Sequence, residues 1–188
     1  GGLGGPGDPF GAGDFLGDGG FDDFPFGPPD DDNAIVDPNI IEELSEVFNI
    51  LDFSAESTSQ SITGTSGADL ILGGSNDDFL DAGAGNDQVF GGDGNDTVIA
   101  GFGEGFDFYD GGAGTDTLVY SSTALGINVD VDIGLASGSE IDTDDFLNFE
   151  EMIGGSGDDN FIGGAGNMSL DGGAGIDTLE YLFANGDI

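Results

Sequence analysis

Eight aspartates recur in one frame, each inside a turn made largely of glycine and small polar residues: Asp69, Asp78, Asp87, Asp96, Asp107, Asp116, Asp159 and Asp177. The fullest copy of the frame is Gly91-Gly92-Asp93-Gly94-Asn95-Asp96-Thr97-Val98-Ile99, or G-G-x-G-x-D-x-U-x with U a large apolar residue. Glycine supplies the positive φ angles of tight turns. A turn short of side chains also leaves its carbonyls free to face an ion, and here they are expected near Gly74, Gly83, Gly92, Gly94, Gly112, Gly114, Gly155, Gly157 and Gly173. The sixth residue adds a carboxylate. Carbonyls and carboxylates are hard oxygen ligands, the kind that suits Ca²⁺. A lone aspartate in such a turn would be read as a turn residue bonding its own backbone. An array in one frame is different, because stacked carboxylates without counter-charge repel one another.

The residues after each aspartate must position it. The last three of each repeat are expected to form a short strand whose middle side chain points inward: Ile71, Leu80, Val89, Val98, Tyr109, Leu118, Phe161, Leu170 and Leu179. Two repeats make one coil of a flattened roll, so turns on one side come from alternate repeats. The expected pairs are Asp69 with Asp87, Asp78 with Asp96, Asp87 with Asp107, Asp96 with Asp116, and Asp159 with Asp177. The repeat over 100–110 is stretched by two residues. The repeat over 163–171 carries Met168 where Asp belongs, so that turn should lack an ordinary ion.

Over residues 64–181 the chain resembles the RTX, or haemolysin-type calcium-binding, family, whose β-helix repeat is this nonapeptide. The segment over 116–159 also looks like the spacer between roll blocks in that family. The resemblance implies a parallel β-roll, calcium-dependent folding and one-step (type I) export from a bacterium to the exterior or cell surface. Family members carry the roll beside proteases, lipases, toxins, adhesins and surface-layer domains, so the roll identifies a folding and binding module and no activity. Family export signals lie near the extreme C-terminus, and only 182–188 follow the last repeat, so a full signal is not evident.

The expected fold is all-β: a parallel β-roll in two blocks with a β-rich spacer, one short N-terminal helix and an extended arm. Residues 1–33 are the arm, rich in Gly, Asp, Pro and Phe, without helix or strand period. Residues 34–61 hold a capping helix and linker. Over 37–52, Ile40, Ile41, Leu44, Val47, Phe48 and Leu51 fall at helical spacing, with Asn39 and Glu42 placed as a capping box. The first roll spans 62–120, the spacer 121–153, and the second roll with the C-terminal end 154–188. In the spacer, Ile127, Val129, Val131 and Ile133 alternate with polar residues as in a half-buried strand, and 143–153 reads as a short helical turn with Phe146, Phe149 and Met152 inward.

Outward strand positions are partly apolar: Leu70, Leu72, Phe90 and Phe108 on one face, Phe79, Ile99 and Val119 on the other. Such faces favour docking. The arm's Phe10, Phe15, Phe21, Phe24 and Phe26 are expected to dock on such a face of the next copy, giving a head-to-tail polymer: a filament, sheath or surface layer. The other reading is the C-terminal folding and secretion module of a larger exported enzyme, toxin or adhesin.

Composition bounds the partners. The chain has 188 residues, 39 of them acidic, with no Lys, Arg or His and a formal charge of −39. No internal salt bridge can form between side chains, and self-repulsion must be met by cations. Nucleic acid is excluded as a partner, since nothing would meet its phosphates. No apolar run is long enough to span a bilayer. The absence of His, Cys and Lys removes zinc-protease motifs, Ser/His triads, thiol nucleophiles and Schiff bases, so no enzyme is expected. The chain begins at Gly1 without Met, which leaves a processed protein or a piece of a longer one.

Overall fold

The structure, a computed structural model, describes residues 48–100, 105–163 and 168–180. The arm over 1–33 and most of the expected helix lie outside these residues. All regular structure among the described residues is β.

The strands are short, and each follows a turn. They are β1 (Asn49–Asp52), β2 (Ser61–Thr63), β3 (Asp69–Gly74), β4 (Phe79–Asp81), β5 (Gln88–Asp93), β6 (Thr97–Ile99), β7 (Phe108–Ala113) and β8 (Thr117–Val119). Beyond them come β9 (Asn128–Asp130), β10 (Leu135–Gly138), β11 (Asp142–Leu147), β12 (Glu151–Ile153), β13 (Asn160–Ile162), β14 (Ser169–Asp171) and β15 (Thr178–Glu180). They make a nine-stranded sheet, β1-β3-β5-β7-β11-β10-β9-β13-β15, and a six-stranded sheet, β14-β12-β8-β6-β4-β2. Alternate repeats thus feed opposite sheets, as a flattened roll requires. The ladders are parallel except for β10, which runs antiparallel to both β9 and β11.

Register stacks like on like. In one sheet Leu51, Ile71, Val89, Tyr109 and Phe146 are successive partners. In the other, Ile62, Leu80, Val98, Leu118, Met152 and Leu170 are. The two rows face each other as one core, in which Ile71, Leu80, Val89, Val98, Tyr109 and Leu118 are fully buried. Burying one such aliphatic side chain contributes roughly 1.5–3 kcal/mol, so a core one side chain wide gains stability rung by rung. Phe161 is also buried, but Leu170 is only partly so and Leu179 is 43% exposed, so the inward row fades towards β15.

Three expectations are corrected. The helix over 37–52 does not run to its end: Asn49–Asp52 is a strand paired parallel to β3, with Leu51 opposite Ile71. Its apolar residues serve the roll because β3 would otherwise present an open edge there. Among the described residues the roll therefore reaches back to Asn49, before position 62, and β2 occupies the end of the expected linker. The stretch over 143–153 is likewise strand, β11 and β12, although Phe146, Phe149 and Met152 do point inward. Asp142 and Asn148 have φ of 52° and 56°, which no right-handed helix admits, and these bends bracket β11. Of the outward apolar positions, Leu70 and Val119 are buried, while Phe79 remains 46% exposed.

Candidate calcium sites

The turns place the aspartates in two columns. The backbone N–H of Asp69 donates to Oδ1 of Asp87 at 2.9 Å, and that of Asp87 to Oδ1 of Asp107 at 2.7 Å. On the opposite side Asp78 N–H donates to Asp96 Oδ1 at 2.8 Å, and Asp96 N–H to Asp116 Oδ1 at 2.7 Å. In the last coils Asp159 N–H donates to Asp177 Oδ1 at 3.0 Å. The five pairs expected from the spacing are therefore adjacent rungs. The stretched repeat keeps register, with Gln88 opposite Phe108.

One oxygen of each carboxylate is used in this ladder. The other is left over in the middle of the columns: Asp78 Oδ2, Asp87 Oδ2, Asp96 Oδ2 and Asp116 Oδ2 are buried and accept no hydrogen bond. Unpaired buried carboxylate oxygens are costly and call for a partner. Elsewhere the second oxygen is occupied. Thr65 N–H donates to Asp69 Oδ2 at 2.5 Å, Gly155 N–H to Asp159 Oδ2 at 2.8 Å, and the Tyr109 hydroxyl to Asp107 Oδ2 at 2.9 Å. Asp177 is exposed.

The glycines form the rest of the cradle. A Cβ on Gly91 would collide with the Gly111 carbonyl and with Asp96 Oδ2, and one on Gly73 would lie 2.8 Å from Asp78 Oδ2 and against the Gly91 carbonyl. The bare oxygen and the next coil's carbonyl thus converge where only hydrogen fits. Farther along the turn, Gly92 (φ 109°) and Gly112 (φ 94°) each sit over the carbonyl of the glycine below, Gly74 and Gly92. Gly83 lies over the Thr65 carbonyl, Gly94 over that of Asn76, Gly114 over that of Gly94, Gly155 over that of Thr123, and Gly173 over that of Gly155. Gly157 packs on the backbone of Leu125 and Gly126. The donor set of carboxylates and main-chain carbonyls fits a hard divalent cation.

Electrostatics agree with the geometry. Burial pushes the carboxyls of Asp87 and Asp96 up to about 7, against donation from Asp69 and Asp78 N–H groups that lowers them. The neighbouring rungs, Asp107 and Asp69 for Asp87, Asp116 and Asp78 for Asp96, push the same way as burial. Burial also raises Asp107 and Asp116. Such shifts report carboxylates crowded together with no cationic side chain to neutralise them.

Sequence reasoning missed the residues that continue both columns. Asp144 is opposite Asp107 in the β7–β11 ladder, and Glu150 is opposite Asp116 in the β8–β12 ladder. Neither has the glycine turn before it. The signal present is the second half of the repeat alone, a carboxylate followed by x-U-x: Asp144-Asp145-Phe146-Leu147 and Glu150-Glu151-Met152-Ile153. Met168 falls opposite Glu150's place in the same column, leaving no carboxylate on the last rung.

These features define a class: a parallel β-solenoid whose coils are joined by glycine turns with stacked, partly unsatisfied aspartates. A family model, the RTX calcium-binding nonapeptide repeat, matches residues 63–98, 73–107, 91–118 and 149–179. The model matches the chain at these four places, and RTX nonapeptide repeats bind calcium. No curated protein matches the chain. Among the described residues, no helix is long and apolar enough to cross a membrane.

Proposed function

We propose that this chain is an extracellular bacterial protein whose roll folds when calcium enters the aspartate columns. The observation that carries the reading is the set of buried, unpartnered oxygens on Asp78, Asp87, Asp96 and Asp116 in a chain with no Lys, Arg or His. Asp69, Asp78, Asp87, Asp96, Asp107 and Asp116 would hold the ions of the first block with turn carbonyls, and Asp159 with Asp177 those of the second. The ion supplies positive charge and links successive turns, so its binding energy is folding energy. Affinity on the order of 10⁻⁴ to 10⁻³ M suffices where calcium is plentiful. In a low-calcium cytoplasm the chain stays extended and fit for type I export. We assign it no catalysis, because His, Cys and Lys are absent.

Far-ultraviolet circular dichroism during a calcium titration tests this. Strand signal should appear with calcium and vanish in excess chelator; a signal indifferent to chelator overturns the reading. A structural role, with copies joined head-to-tail through the Phe-rich arm, is supported by the arm's composition and by exposed Phe79 and Phe106 on the roll. The alternative is a folding and secretion module within a larger exported protein.

A further inference from the structure

The spacer between the repeat blocks has no glycine-turn motif, yet its strands carry two carboxylates onto the ends of the aspartate columns. Asp144 partners Asp107 in register, and the N–H of the next residue, Asp145, donates to the Asp107 carbonyl at 2.9 Å. Its side chain is fully buried. Oδ2 accepts the Tyr120 hydroxyl at 3.1 Å, whereas Oδ1 is buried and has no hydrogen-bond partner. That is the condition of Asp78, Asp87, Asp96 and Asp116, reproduced by a residue outside any nonapeptide.

Glu150 repeats the arrangement in the other column. Its Oε2 accepts the Asp116 N–H at 2.9 Å, as Asp116 Oδ1 accepts the Asp96 N–H at 2.7 Å. The bare oxygen of this rung is Asp116 Oδ2. The Asn148 carbonyl lies where a Cβ on Gly111 would be, beside that oxygen, so the spacer supplies the carbonyl that the Gly111 carbonyl supplies one coil earlier. Each rung therefore contains carboxylates from two coils and one unpartnered oxygen inside the roll.

We propose that Asp144 and Glu150 are calcium ligands, each adding one ion site that the repeat motif does not encode: Asp107 with Asp144, and Asp116 with Glu150. The inference rests on calcium filling the columns. It makes the spacer a calcium-bound part of the roll, welded to the first block by metal as well as by backbone pairing. Glu reaches one bond farther than Asp, which suits a rung whose turn lacks the glycine approach.

The test uses the full chain. Calorimetry should give Asp144→Asn and Glu150→Gln each one site weakened at least tenfold, so that one ion drops out of each titration. Glu150 is exposed, so its variant carries little folding hazard. The Asp144 site has a second readout that leaves the carboxylate in place. The chain has three Tyr and no Trp, and Tyr120 touches Asp144, so terbium bound there is excited through tyrosine. Tyr120→Phe should lower the sensitised emission at full terbium occupancy. Unchanged stoichiometry and affinity in both carboxylate variants, or undiminished emission from Tyr120→Phe, overturns the proposal. Failure of the wild-type chain to bind calcium overturns the function reading instead.

Discussion

The backbone N–H of Asp96 points into the carboxylate of Asp116 at 2.7 Å, while Asp96 Oδ1 itself accepts the N–H of Asp78 at 2.8 Å. One side chain therefore belongs to two rungs. Asp159 also accepts an N–H from the coil below, but its donor is Ile127, which brings no carboxylate. Asp96→Ala should remove two ions from the calorimetric stoichiometry, and Asp159→Ala one. Equal losses would contradict the column arrangement.

Acid should replace calcium in part. Asp87 and Asp96 have folded-state values near 7, above the ordinary 3.8. The folded, ion-free roll then binds more protons than the unfolded chain between these values, so its stability falls as pH rises from about 4 to about 7. Lowering the pH from 7.5 to 5 without calcium should increase strand signal. Over the same interval calcium affinity should drop, since ligands must be deprotonated. A calcium-free chain equally unfolded at both pH values would refute this.

Two glycines separate packing from composition. Gly91→Ala places a methyl against the Gly111 carbonyl and Asp96 Oδ2, whereas a Cβ on Gly67 would meet only Thr65 Oγ1 at 4.0 Å. Overpacking of this kind costs about 1–3 kcal/mol, and a harmless surface change stays within about 0.5 kcal/mol. Thermal melts in calcium should show Gly91→Ala several degrees lower and Gly67→Ala nearly unchanged. Matching melting temperatures for the two would show that the carbonyl–carboxylate gap is not tight.

The arm can be tested by removal. A chain lacking residues 1–33 should bind calcium as the full chain does but sediment as a monomer, while the full chain with calcium forms larger species. Assembly that survives truncation, or a full chain that stays monomeric at high concentration, would favour the secretion-module reading.

The repeat frame made much of the roll legible. Position six named Asp69 to Asp116, and position eight named the inward residues from Ile71 to Leu118, because a period-two strand after a fixed turn leaves one choice of face. Where the glycine turn is missing, the sequence misleads. Asn49–Asp52 belongs to a segment with helical spacing, yet an open strand edge on β3 captured it. Over 143–153 the apolar spacing allowed helix or strand, and the backbone bends at Asp142 and Asn148 decided it. The sequence does not place Asp144 and Glu150 on the columns for the same reason: tertiary pairing, and no local turn, puts them there.

The reversed strand β10 has a consequence for the order of events. Up to β8 each new rung lies on the one made just before, so the roll can lengthen as quickly as chain is supplied. In the larger sheet, however, the rung touching β7 is β11, with β10 and β9 lying beyond it against the direction of the chain. Nothing can be added after β7 on that face until residues as far as Leu147 have arrived, and β13 must wait for β9. A roll that grew from its N-terminal end would therefore meet one interruption in the larger sheet, at β7.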